Sequence, residues 1–288
     1  LVALGAAVVV VDDLSTGVRA NLAAVRDRLR FVQADIAEWA ALDDPVDVVF
    51  NLACPASPAH YQRLDLETLR AGSMGADRML RLAVERGATF VQASTSEIYG
   101  DPDVHPQPES YWGRVNPVGP RSMYDESKRF TEALCAAWTR RGAKVRVARI
   151  FNTYGPRLQR HDGRVVPTFV RQALAGEDLT VHGDGTQTRS FGYVSDVVEG
   201  LLRLGVSEVR GAVNLGSPRE TSIAELAQQI LALTGSTSRL AFRPRPADDP
   251  GRRCPDITRA RQLLGWEPLV SLRDGLACTI AAVREETG

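Results

Sequence analysis

An α/β fold is predicted for this chain: a doubly wound parallel sheet followed by a smaller C-terminal lobe. Two observations carry the prediction. Short strand-like runs rich in Val, Phe and Ile are apolar nearly throughout, as in strands covered on both faces. They alternate with longer helical patterns up to Ile150, the rhythm of a parallel sheet that binds ligands beyond the carboxyl ends of its strands. After Ile150 that rhythm breaks, and Pro156, Pro167, Gly183, Gly185, Pro218 and Pro244 punctuate shorter elements.

The strand candidates are Ala7–Asp12, Phe31–Asp35, Val46–Leu52, Thr89–Ala93 and Val145–Ile150. One helix is expected over Leu64–Arg86, with apolar residues at Leu66, Leu69, Met74, Leu80 and Leu82, and another from Tyr124 to Arg141. Further helices are expected at Val165–Ala175, Ser222–Thr234 and Leu272–Glu286, the second opened by Ser222 as N-cap with Glu225 in capping-box position. Residues 1–164 then form a cofactor-binding part and 165–288 mainly a substrate lobe, with parts of 190–216 returning to the first. The Arg243–Arg253 segment, dense in Arg, Pro and Asp, reads either as a linker or as a polar loop over a site.

Composition narrows the function. The 288 residues carry 35 Lys+Arg against 35 Asp+Glu, so the basic footprint that nucleic acid requires is missing. Four cysteines (Cys54, Cys135, Cys254, Cys278) lie far apart with no CxxC pair, which argues against a disulfide framework or a zinc site and for reduced thiols in the cytoplasm. No apolar stretch approaches the roughly 20 residues that span a bilayer. The opening LVALGAAVVVV lacks a preceding basic segment and runs straight into Asp12 and Asp13, which fits a buried strand better than a signal peptide.

Several residues could carry chemistry. Asp12, at the end of the first strand, could accept hydrogen bonds from both hydroxyls of an adenosine ribose, favouring NAD over NADP; taken alone, an N-cap for the next helix is the better reading. Asp35 and Ile36, after the second strand, offer an adenine contact by the same logic. The strongest local signal is Tyr124-Asp125-Glu126-Ser127-Lys128, which places a phenol and an ammonium one helical turn apart on one face. An ammonium there would lower the tyrosine pKa and make it a usable base. The chain has only two lysines and six tyrosines, so chance placement yields such a pair about 4% of the time. Thr95 and Glu97 follow the Thr89–Ala93 strand, where ligand and chemistry would meet; without Tyr124 and Lys128 this would be an ordinary polar turn.

Thr95, Tyr124 and Lys128 together resemble the catalytic triad of the extended short-chain dehydrogenase/reductases, a Rossmann-type family of nucleotide-sugar epimerases, dehydratases and decarboxylases. Longer stretches resemble its UDP-glucuronate decarboxylase branch. They are Asn51–Pro58, Ser94–Pro102 continuing to Tyr111-Trp112-Gly113, Asn116–Arg121, Ala148–Arg157, Asp162–Pro167, Gln187–Phe191, Asp248-Asp249-Pro250 and Leu264–Pro268, covering nearly the whole chain. The resemblance implies a bound NAD, no metal, a UDP-sugar substrate and a homodimer formed through the Tyr124 helix and the Leu64–Arg86 helix. It adds Leu52 to the cofactor contacts Asp12, Asp35, Ile36, Tyr124 and Lys128. Glu97 matches the branch's catalytic carboxylate, and Arg253 its arginine near the substrate carboxylate, with Arg252 one position away as the alternative. For the substrate it implies Ala56, Tyr61, Thr95, Ser96, Arg121, Asn152, Thr180, Gln187 and Arg189.

The implied reaction turns UDP-glucuronate into UDP-xylose and carbon dioxide, with NAD regenerated. Similar dehydratases carry an acidic residue where Ser96 stands, so water loss is disfavoured. A 4-epimerase remains the enzyme alternative and a non-catalytic sugar-nucleotide binder the other. Two departures stand out. The family's first strand and glycine-rich pyrophosphate turn do not occur in the 288 residues, from which a truncated sequence is expected. Gly72 stands where the family usually has Asn, removing one hydrogen bond on the cofactor side.

Overall fold

The computed structural model describes residues 1–39, 42–159 and 162–287. Strands β1 (Val9–Asp12) and β2 (Arg30–Gln33) pair in parallel, with Val10 opposite Phe31. Strands β3 (Val48–Asn51), β4 (Thr89–Thr95) and β5 (Val145–Ile150) build a second parallel sheet, closed on its far side by Ala212–Leu215 in the order 212–215, β5, β4, β3. All five predicted strands are present: β5 has the expected bounds, and the other four differ by a few residues at their ends. The extension of β4 to Thr95 matters, because it makes that threonine the last residue of a central strand.

Helices cover both faces of this sheet, as double winding requires. On one face Met79, Leu80, Ala83 and Cys135 pack on Phe90, Val145 and Val147. On the other, Val197, Leu201 and Leu204 of the Val194–Val206 helix pack with Trp266 on Val91, Ala148, Val213 and Leu215. Trp266 is buried because its indole N–H also finds an acceptor, the Asp196 carbonyl at 2.8 Å. A separate core of Phe169, Val170, Leu226, Ile230, Leu276 and Ile280 joins helices Val165–Ala175, Ile223–Thr234 and Leu272–Thr287. The capping box expected at Ser222 forms: Glu225 N donates to Ser222 Oγ (3.1 Å) and Ser222 N to Glu225 Oε2 (2.9 Å), a cap of about 1 kcal/mol.

The expected helix over 64–86 is not continuous. After the short helix α1 (Pro58–Tyr61), α2 (Asp65–Arg70) runs through a π-helical turn, Ala71–Gly75, into α3 (Ala76–Glu85). The wide turn shifts the helical phase. Leu80 is buried in the core, whereas Leu66, Leu69 and Met74 of the same apolar pattern are exposed. Helix α4 (Ser122–Arg140) packs beside α2 and the π turn. The Arg243–Arg253 segment is no linker: Leu240–Arg243 pairs with Leu179–His182, and Arg252–Arg253 pairs with Thr188–Ser190.

Candidate active site

The parallel strands aim their carboxyl ends at one edge, where Asp12 ends β1, Asp35 and Ile36 follow β2, Leu52 follows β3 and Thr95 ends β4. Asp12 Oδ1 accepts the Leu14 amide (2.8 Å), and Asp35 Oδ1 accepts the Ala37 amide (2.8 Å). Both carboxylates close local turns; Asp12 is not the N-cap of the next helix, Arg19–Arg28, which Val18 precedes. Gly17 leaves room for Asp12, since a Cβ there would lie 2.7 Å from Asp12 Oδ1. Leu52 is exposed at the strand end, an apolar wall with no protein cover.

Helix α4 delivers Tyr124 and Lys128, both buried, against the end of β4. Lys128 Nζ donates to the Ala93 carbonyl at 2.9 Å and lies 5.7 Å from the Tyr124 ring centroid. The Thr95 side chain hydrogen-bonds to Tyr124. Tyr61 stacks on Tyr124, with ring centroids 5.1 Å apart and planes 6° from parallel. The sequence pattern predicts a lowered Tyr124 pKa, and here the structure corrects it. Burial pushes the phenol well above its ordinary value, and Cys54 and Glu97 add to the rise, while the Thr95 hydrogen bond and Arg164 oppose it only in part. The ammonium is directed at a backbone carbonyl rather than at the phenol oxygen.

Glu97 sits in the 3₁₀ turn Ser96–Tyr99, and its amide donates to Thr95 Oγ1 at 3.2 Å, capping the turn. Arg253 grips the Glu97 carboxylate with both Nη atoms, Nη1 on Oε1 and Nη2 on Oε2 at 2.9 Å, and Arg121 Nη2 donates to Oε2 at 2.7 Å. Burial pushes this carboxyl up, but the two guanidinium groups outweigh it and hold Glu97 at about 2. The two arginines differ in burial. In the Arg252–Arg253 strand, alternation turns Arg253 inward, opposite Arg189, and leaves Arg252 exposed.

Arg189 reaches the same cluster through Asp249, which its Nη2 meets at 2.9 Å and which stands 4.0 Å from Arg121. Asp249 has no role in the sequence reading beyond its place in the Asp248-Asp249-Pro250 motif; the density of charge in that segment was the available signal. Asp125 and Ser57 were also missed. Asp125 is buried beside Glu97, Arg121 and Arg253, and burial with the Glu97 charge raises its carboxyl to about 7.

The remaining expected substrate residues lie around this center with different freedom. Ser96 is buried and Ala56 exposed. The Thr180 hydroxyl accepts Gln172 Nε2 at 2.9 Å, and Gln187 Nε2 donates to the His182 carbonyl, so both are engaged within the lobe. The Asn152 carbonyl accepts the Gly192 amide at 2.8 Å. Among the described residues the buried side-chain polar atoms without a partner are Tyr61 OH, Asp125 Oδ1, Arg121 Nε and Arg253 Nε, in or against the Glu97 cluster, and Ser57 Oγ, His105 Nδ1, Gln159 Oε1 and Ser190 Oγ. Those at the cluster are costly to leave unmet and mark a surface built for a polar ligand. Among the described residues no cluster of metal-ligating side chains occurs, and no helix is long and apolar enough to cross a membrane.

Residues 1–216 match the model of the NAD dependent epimerase/dehydratase family. The chain belongs to that family. UDP-glucuronic acid decarboxylase 1 of Xenopus tropicalis is 49% identical over 285 residues, covering 98% of this chain and 67% of that protein. UDP-glucuronic acid decarboxylase 2 of Arabidopsis thaliana is 50% identical over 289 aligned positions, covering 99% of this chain and 64% of that protein. The chain thus spans about two thirds of the length of these relatives. Among solved structures, UDP-glucose 4-epimerase of Thermotoga maritima with UDP-glucose superposes with a TM-score of 0.92 at 29% identity, covering 100% of this chain and 94% of that one. A dTDP-glucose 4,6-dehydratase of Streptomyces venezuelae with NAD bound gives 0.86 at 29% identity, over 98% and 88%.

NAD is the family's cofactor, and the strand-end groups fit it: a carboxylate at Asp12 for ribose hydroxyls, apolar contacts at Ile36 and Leu52, and a buried ammonium at Lys128 with one protein acceptor.

The raised Asp125 carboxyl has a consequence for stability. An acid whose folded-state pKa lies above its unfolded value costs stability as pH rises from about 4 toward 7, because the unfolded chain ionises first. Asp125→Asn is therefore expected to be more stable than the parent at pH 8, with the gap closing as pH falls through 7 toward 4, measured by denaturant unfolding. An equal gap at both ends of that range would contradict the assignment.

Proposed function

We propose that this protein decarboxylates UDP-glucuronate to UDP-xylose and carbon dioxide through a 4-keto intermediate. The observation that carries the reading is Arg253: a buried guanidinium, gripping a carboxylate bidentately, at the strand end that also holds Thr95 and Tyr124. The two relatives that match nearly the whole chain are named for this activity.

NAD, when bound, would supply the oxidant for sugar C4 and the reductant that restores it. The chain's own groups do the rest. Tyr124 takes the proton of the 4-hydroxyl, with Thr95 hydrogen-bonded to the same phenol and Lys128 stabilising the phenolate. Burial keeps the Tyr124 phenol protonated at neutral pH in the unliganded site. Arg253, with Arg121 beside it, meets the sugar carboxylate alongside Glu97. With C4 a ketone, the C5–C6 bond breaks and its electron pair flows to the C4 oxygen as an enolate, which the buried guanidinium groups help to stabilise. Carbon dioxide leaves and C5 takes up a proton, delivered from the Glu97–Arg253 side. Arg189, Asn152, Gln187 and Thr180 line the path of the UDP portion, with Tyr61, Ser96 and Ala56 nearer the sugar; a guanidinium suits the diphosphate.

Within this reading residues 1–164 bind the cofactor and 165–288 mainly the UDP-sugar. The pairing of Ala212–Leu215 with β5 supports the return of 190–216 to the first part. The four free cysteines support a reducing, cytoplasmic setting. The exposed Leu66, Leu69 and Met74, together with the exposed Phe130 on the adjoining α4, support a homodimer through these helices. Sedimentation at micromolar concentration is expected to give a dimer; a monomer alone would contradict it.

Carboxyl-labelled UDP-glucuronate with sub-stoichiometric NAD tests the reaction. Label is expected to leave as carbon dioxide over many turnovers, with Arg253→Lys slower by about 100-fold or more, because a point charge cannot replace two parallel hydrogen bonds. Retained label, or an Arg253→Lys variant as fast as the parent, would overturn the reading.

A further inference from the structure

Gly72 lies in the π turn between α2 and α3, buried against α4. A Cβ on Gly72 would stand 2.6 Å from Ser127 Cβ, 2.8 Å from Ser127 Oγ and 3.2 Å from the Ser127 carbonyl. Neither Ser127 Cβ nor its backbone can swing aside, so no larger residue fits at 72 while Ser127 is present. The contact is fastened by Thr131, whose hydroxyl lies between the Gly72 carbonyl and the Ser127 carbonyl, the latter at 2.8 Å, and donates to either.

Ser127 in turn sits between the two residues that define the site. Its Oγ donates to the Tyr124 carbonyl at 2.9 Å, its side chain hydrogen-bonds to Cys54 after β3, and the next residue is Lys128. At the other end of the same turn, a Cβ on Gly75 would meet Ile36 Cδ1 at 2.7 Å. The π turn is thus clamped between the Asp35–Ile36 loop on one side and α4 on the other.

We infer that Gly72 and Ser127 are a matched pair that fixes how closely the π turn approaches α4, which makes Ser127 a positioning residue for Tyr124 and Lys128 on the NAD side of the site. The absent Asn at position 72 is then no simple loss. The space its Cβ would need is occupied by Ser127, which turns its hydroxyl to Tyr124 and Cys54 instead. A side chain at 72 pushes α4 away and moves the phenol and the ammonium relative to the Ile36 loop. The inference rests on the family's NAD and not on which sugar is turned over.

The test is a double-mutant cycle in the full-length protein, Gly72→Ala, Ser127→Gly and both together, read by NAD dissociation constant from calorimetric titration and by Tm without NAD. Gly72→Ala is expected to weaken NAD binding by about tenfold or more, Ser127→Gly by about two- to fivefold, and the double variant to return to within about threefold of Ser127→Gly. If Gly72→Ala does not fold, a folded double variant that binds NAD supports the pairing equally. Three results would overturn it: Gly72→Ala binding NAD like the parent, whatever its Tm; a double variant no better than Gly72→Ala; or a double variant that also fails to fold. Failure of carbon dioxide release with this NAD pattern intact would strike the proposed reaction and leave the pairing standing.

Discussion

A carboxylate buried between two guanidinium groups is the constraint on which the rest of this site depends. Glu97 comes from the turn after β4, Arg121 from the residue before α4, and Arg253 from a two-residue strand in the C-terminal part. Three distant pieces of chain are brought to one point by charge that has little access to water. Such a cluster adds little net stability, because desolvation offsets most of the attraction, but removing one partner strands the others and costs about 3–5 kcal/mol. Glu97, held at about 2, keeps its charge at any physiological pH, and its contribution is lost only as pH falls from the ordinary carboxylate range through that value. The arrangement therefore specifies where the parts meet more than it strengthens the fold.

The same cluster gives the chemistry its selectivity. Tyr124, Lys128 and Thr95 could serve oxidation at C4 in any member of this family, epimerases and dehydratases included. What favours decarboxylation is a second set of groups that recognise a carboxylate, while Ser96, between Thr95 and Glu97, provides no acid for water loss. The Asp249 link ties Arg121 to Arg189, so the groups proposed for the sugar carboxylate and for the diphosphate share one network. A substrate that satisfies both ends is positioned along its whole length.

Much of this was legible in the residues themselves. Apolar runs gave the parallel strands because burial on both faces demands them, and the Ser222–Glu225 spacing gave a cap that forms as written. The Tyr124–Lys128 spacing located α4's contribution because helical geometry is local. Non-local features were hidden. The π turn at Ala71–Gly75 breaks an apolar pattern that reads as one helix, and only the contact of Gly72 with Ser127 shows why small residues are needed there. Asp249 and Asp125 look like ordinary surface acids in sequence. The direction of the Tyr124 pKa could not be read from spacing, since burial dominates it. The difference in burial between Arg253 and Arg252 required the register with Arg189.

The most direct measurement is the product formed from UDP-glucuronate in deuterium oxide, analysed by proton NMR and mass spectrometry. If the arginine-bound carboxylate is lost and C5 is reprotonated from the site, the product is UDP-xylose carrying one deuterium at C5. A product that keeps its carboxyl group and differs only in configuration at C4 would contradict the account.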